Sequence, residues 1–161
     1  MVETTQEFLD KKIYLPGYMI LGSAAYQGNK ADFDFNLAEP KLTVMPYYLT
    51  PRGVDLCVVQ ASYAIIENLT EQGRFDFDLS KLREIALDGR IRLVELNQKL
   101  RRELRLGETV QGRLNLTKFR YGRMPIAKFD FDIGNKAVHG NLVAVIATER
   151  VAQRNQDMLR H

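Results

Sequence analysis

The stretch Val54-Asp-Leu-Cys-Val-Val-Gln-Ala-Ser-Tyr-Ala-Ile-Ile-Glu-Asn-Leu69 constrains the fold more than any other part of the chain. At helical spacing it is apolar on almost every side, and a helix apolar all round is one enclosed by its surroundings. Pro51 suits a first helical turn, Thr50 is placed to cap it, and Gly73 ends it at the latest. The pattern predicts a central helix over about residues 52–70, wrapped by the rest of the chain.

The wrapping is extended chain. Ala31 to Leu37 alternates with period two, putting Phe33, Phe35 and Leu37 on one face of a strand. Tyr18 to Tyr26 reads as its partner across the turn Gln27-Gly28-Asn29-Lys30, and Leu42 to Tyr48 as a third extended piece. Glu3 to Lys12 suits a short helix with Phe8 and Leu9 packed down, and Leu79 to Leu87 has helical character. Arg90 to Leu106 is ambiguous, because Leu93, Leu96, Leu100 and Leu104 also fit helical spacing. Strand is favoured from about Leu100, where alternation runs into Gly107-Glu108. Val110, Gly112, Leu114 and Leu116 alternate again, Ile126 to Ile133 forms a further strand, and Gly134-Asn135-Lys136 turns the chain into Ala137 to Ala147. The expectation is one α+β domain over residues 1–150 with a polar tail at 151–161. In it a curved antiparallel sheet wraps one long helix, the hot-dog arrangement. Such a sheet has an open edge, so a homodimer or a dimer of dimers is expected.

Composition removes several classes of function. A hydrophobic content of 45% over 161 residues is too high for a disordered chain, and no run of 18 apolar residues could span a bilayer. The first ten residues hold three acids and no apolar core, unlike a secretory signal. One cysteine, Cys57, and two histidines, His139 and His161, argue against a metal centre or an internal disulfide. The reading is a soluble, cytoplasmic domain without metal or cofactor. Charge is uneven: residues 1–80 hold 11 acids and 6 bases, residues 81–161 hold 17 bases and 9 acids. Between Lys99 and Arg123 eight Lys and Arg face only Glu103 and Glu108. Such a strip suits an acidic carrier protein or coenzyme phosphates, the alternative being an ordinary solvated sheet face. Without a zinc knuckle, an RNA-stacking aromatic motif or a GXXG loop, nucleic acid is not the expected partner.

Leu100-Arg-Arg-Glu-Leu-Arg-Leu-Gly-Glu-Thr-Val-Gln-Gly-Arg-Leu-Asn-Leu116 resembles the strand–Gly–acid–strand signature of hot-dog thioesterases and dehydratases. Met45-Pro-Tyr-Tyr-Leu-Thr-Pro-Arg-Gly-Val-Asp-Leu56 and Phe129-Asp-Phe-Asp-Ile-Gly-Asn-Lys-Ala-Val-His-Gly-Asn-Leu-Val-Ala-Val145 are similar to the FcoT-type acyl thioesterases, in order from about Tyr14 to Ala147. The resemblance implies an acyl-thioester hydrolase of fatty acid and lipid metabolism or biosynthesis, acting on acyl-coenzyme A or an acyl carrier protein. Relatives in that group are implied to add glycine across an enoyl thioester before hydrolysis. Of the site the family implies, Tyr14 matches the first tyrosine, and Tyr47 or Tyr48 stands for the second after a shift of a few residues. Arg52 replaces the asparagine at the helix start, and the inner asparagine falls near Gln60 or Ala61. The dehydratase pattern needs a histidine before the helix, and neither histidine stands there.

The residues themselves support a similar list. Thioester hydrolysis needs an activated water and donors for the developing oxyanion. Free amides at the start of the central helix supply donors, and Gly53 lets a thioester carbonyl approach them. Asp55, read as lying in the first turn, is the candidate to polarise water; an acid favoured there by the helix dipole is the plainer reading. Gln60 is a candidate to hold a water or carbonyl, or else a helix–strand hydrogen bond across a dimer. Tyr14 and Tyr48 complete the catalytic candidates, and Arg52, Gly53, Tyr47, Tyr63, Arg120 and Arg123 are candidates for binding substrate. Arg52 suits a carboxylate or phosphate, or pairs with Asp55; the tyrosines are otherwise core or rim aromatics, and Cys57 an inert packing residue. A non-catalytic acyl-binding module and a dehydratase-like hydratase acting through Asp55 are the alternatives.

Overall fold

A computed structural model describes residues 3–14, 20–36, 51–105 and 109–148, with the side chains of Pro51 and Arg52 excepted. Residues 37–50, with Tyr47, Tyr48 and the predicted extended piece at 42–48, lie outside the described residues, as does the tail. In chain order the elements are a short helix α1 (Thr5–Phe8) running into a π-helical turn (Leu9–Ile13), strands β1 (Leu21–Gln27) and β2 (Lys30–Asn36), and the long helix α2 (Pro51–Glu71). Helix α3 (Leu79–Leu87) follows, then β3 (Ile91–Leu100), β4 (Thr109–Arg120), β5 (Ile126–Ile133) and β6 (Val138–Ile146).

All strand pairs are antiparallel, in the order β1-β2-β4-β5-β6-β3. The alternation of the sequence is the alternation of burial. Phe33 and Phe35 on β2, Leu114 and Leu116 on β4, and Phe129, Phe131 and Ile133 on β5 are buried on the inner face. Asp32, Arg113, Lys128 and Asp130 are exposed on the outer one. At Gly112 a side chain would collide with the Phe35 ring, so this glycine lets the aromatic layer close over β4.

Helix α2 lies against the inner face and is buried almost all round, from Val54 to Leu69. The sheet covers one side. The N-terminal layer covers the other, where the Phe8 ring stacks on Tyr63 at 5.9 Å, and Leu82 and Ile85 of α3 join the same core. Asp78 caps α3 by accepting from Lys81 N–H at 2.8 Å.

The 90–106 region departs from the reading above. Strand β3 occupies Ile91–Leu100 and ends where a strand was expected to begin; Arg101 to Leu104 are not strand. The reason is position. Among the described residues β3 is an edge strand paired only with β6, none of its side chains is fully buried, and a register shift between Leu93 and Glu95 breaks its period. No helix among the described residues is long and apolar enough to cross a membrane.

Candidate active site

The polar groups of α2 point in different directions, and the helix geometry sets which meet. The helix starts at Pro51, so Asp55 is its fifth residue, one past the first turn rather than in it. Gly53, buried, lies within that turn. Asp55 is half-buried, and its Oδ1 accepts a hydrogen bond from Gln98 Nε2 of β3 at 3.2 Å.

Gln60 is five residues on, about 140° further round the helix axis. It faces the opposite edge of the sheet: its Oε1 accepts from Ile20 N–H at 3.1 Å and Leu21 N–H at 3.0 Å, pinning the entry of β1. The helix–strand bond foreseen for Gln60 thus lies within one chain. Tyr63 is buried against Phe8 in the N-terminal layer, and its hydroxyl makes no hydrogen bond among the described residues. Burial, and then the charge of Glu67, push its ionisation far up. Tyr14 follows the π-helical turn, half-buried, with burial raising its phenol to about 12. At neutral pH it can donate a proton and cannot act as a base. Cys57 is fully buried and its thiol is likewise pushed up by desolvation, as expected of a packing residue.

Arg120 and Arg123 lie near the other end of α2. Arg120 ends β4 opposite Ile126, Arg123 sits in the following turn, and between them Tyr121 O–H donates to the carbonyl of Arg74 just past the helix. From Asp55 to Glu71 is about 24 Å of helix at 1.5 Å per residue. The basic segment is therefore no continuous strip. Lys99, Arg101 and Arg102 gather by the β5–β6 turn, where Arg102 donates to Gly134 C=O. Arg113 pairs with Asp32 on the outer face at 2.6 Å, and Arg120 and Arg123 stand at the opposite end of the sheet. Tyr47, Tyr48 and the Arg52 side chain lie outside the described residues.

The structure thus brings Asp55 together with a residue the sequence reading passed over. Gln98 stands in the run Asn97-Gln98-Lys99, which reads as polar surface. Only the pairing of β3 with β6 turns it towards α2.

No family model matches the chain, and no curated protein matches it in sequence. Solved structures do match in shape. A Shewanella oneidensis protein described provisionally as a thioesterase aligns with TM-score 0.62 at 10% identity, over 89% of this chain and 94% of that one. The dehydratase heterocomplex ApeI:P from Xenorhabdus doucetiae gives 0.59 at 10% identity, over 92% and 93%. A protein of Syntrophus aciditrophicus, also provisionally a thioesterase, gives 0.50 at 11%, over 84% and 90%. At these identities the likeness is one of fold, and nothing in it singles out the FcoT-type family. With six antiparallel strands among the described residues, laid in the order β1-β2-β4-β5-β6-β3 around a central helix, the chain has the hot-dog fold.

Proposed function

We propose that the protein hydrolyses fatty acyl thioesters of coenzyme A or of an acyl carrier protein, with Asp55 as the base for the attacking water. The observation that carries this reading is the Asp55–Gln98 pair: a half-buried carboxylate held by a neutral amide, two residues from the buried Gly53 at the start of α2. That the fold's neighbours include proteins described as thioesterases supports the choice of a thioester as substrate.

The chemistry follows from that pair. Asp55 takes one proton from water as the oxygen attacks the thioester carbon. The oxyanion is met by backbone amides in the first turn of α2, the positive end of the helix dipole. The C–S bond then breaks, and the departing thiolate recovers the proton from Asp55. Tyr14 and Tyr48 are the proposed neutral donors and Tyr47 a proposed substrate contact, while Tyr63 packs against Phe8. Gln60 fixes the wall formed by the start of β1. Arg52 is the proposed partner of an anionic group of the substrate, and Arg120 and Arg123 those of phosphates or an acidic carrier surface at the far end of α2. The working unit is a dimer joined through β3, whose ten-residue edge leaves Leu93, Val94 and Leu100 exposed.

The experiment is a mass-spectrometric assay on saturated and 2-enoyl thioesters, with and without glycine. Free acid from the saturated substrates is the expected product. A glycine adduct would replace hydrolysis by conjugate addition, and neither product from a folded protein that binds the acyl chain would make it a binding module.

A further inference from the structure

Among the described residues, the buried side-chain atoms without a hydrogen-bond partner include Gln98 Oε1, on the same carboxamide whose nitrogen holds Asp55. A buried amide oxygen left unpaired is costly, so such an atom beside a carboxylate points to a polar ligand that donates to it. The orientation of the amide is fixed by its neighbour: reversed, it would set oxygen against the Asp55 carboxylate. The backbone is also built for this placement. Gly140 of β6 pairs with Gln98, and a side chain at Gly140 would overlap the Asn97 carbonyl oxygen outright. Only glycine lets β3 lie this close over β6 where Gln98 reaches α2.

We infer that Gln98 is the second acceptor for the attacking water, which donates one hydrogen to the Asp55 carboxylate and the other to Gln98 Oε1. This rests on the hydrolytic reading above and names a residue that completes it. A carboxylate alone fixes only one O–H of a water, and its oxygen lone pair can then swing about that bond. A second acceptor one carboxamide's width away locks the plane of the water and turns the lone pair outward, towards a carbonyl carbon. The balance is that of hydrolysis. The water oxygen bonds the acyl carbon, one proton passes through Asp55 to the leaving thiolate, and the hydrogen on Gln98 stays with the acid product.

Three substitutions separate the two ends of the amide. Gln98→Lys keeps a donor for Asp55 and removes the acceptor, Gln98→Glu does the reverse, and Gln98→Met removes both. Gln98→Lys and Gln98→Met are each expected to lower kcat roughly tenfold to a hundredfold, with KM and the affinity for a non-hydrolysable thioether analogue within about twofold of wild type. Gln98→Glu is expected to keep more activity than Gln98→Lys at alkaline pH, with the acid limb of kcat moved to higher pH by the second carboxylate. Near-UV circular dichroism identifies any variant that fails to fold, in which case the remaining two decide. A folded Gln98→Lys within about threefold of wild-type kcat would overturn the assignment while leaving hydrolysis standing. Wild-type protein that releases no acid from any thioester would overturn both.

Discussion

Arg83 Nη2 stands 2.5 Å from Oε1 of Glu67, a carboxylate with no solvent exposure. The same oxygen accepts from Thr5 Oγ1 at 3.1 Å, while Arg83 also donates to the Glu3 carbonyl at 2.8 Å and lies over the Phe8 ring. One buried ion pair thus ties α2 and α3 to the N-terminal layer. Removing one partner of such a pair strands the other charge. Arg83→Met is expected to cost about 3–5 kcal/mol in urea unfolding, and adding Glu67→Gln to recover part of that loss. A loss under about 1 kcal/mol would mean the pair adds nothing.

Gln60 is read as a clamp on β1. Gln60→Leu would strip the acceptor from two buried backbone N–H groups, at about 1–3 kcal/mol each. The expected result is a lower unfolding midpoint with an unchanged denaturant slope, and a residual activity that tracks the folded fraction. Full stability with lost turnover would instead put Gln60 in the chemistry.

Tyr14 gives the alkaline behaviour a sign. Its phenol ionises at about 12 in the fold, because burial disfavours the phenolate, and at about 10 when unfolded. The native state therefore holds its proton where the unfolded chain has lost it. Stability from this group is fully present below pH 10 and falls away as pH rises to about 12. Unfolding measured across that window should slope down less steeply in Tyr14→Phe than in wild type.

The edge strand makes a prediction about assembly. Val94 is 59% exposed on β3, beside backbone groups that no neighbouring strand takes up among the described residues. A lysine there blocks edge-to-edge pairing. Sedimentation should give a dimer for wild type and a folded monomer for Val94→Lys; identical sedimentation would remove β3 as the joint.

What the sequence could convey depended on burial. Phe33 and Phe35, or Phe129 and Phe131, show their strands because one face is core and the other water. Residues 54–69 show their helix because nearly every side is covered. β3 has no buried face, and its bulge at Leu93–Glu95 breaks the period, so its leucines mimic helical spacing. The site suffered for the same reason. Asp55 stands out as an acid in an apolar run, but Gln98 becomes its partner only through the β3–β6 register and the bare backbone of Gly140. The basic run from Lys99 to Arg123 looked continuous in sequence, yet it leaves β3 at one end of the sheet and reaches the other end along β4.

The most direct test of the central claim is the rate of free-acid release from acyl-coenzyme A by wild type and by Asp55→Asn, with both shown to be folded. The account predicts turnover by wild type and a fall in kcat of about 10²–10⁴-fold in the variant, the usual range for a lost general base. Full-rate hydrolysis by Asp55→Asn would contradict it.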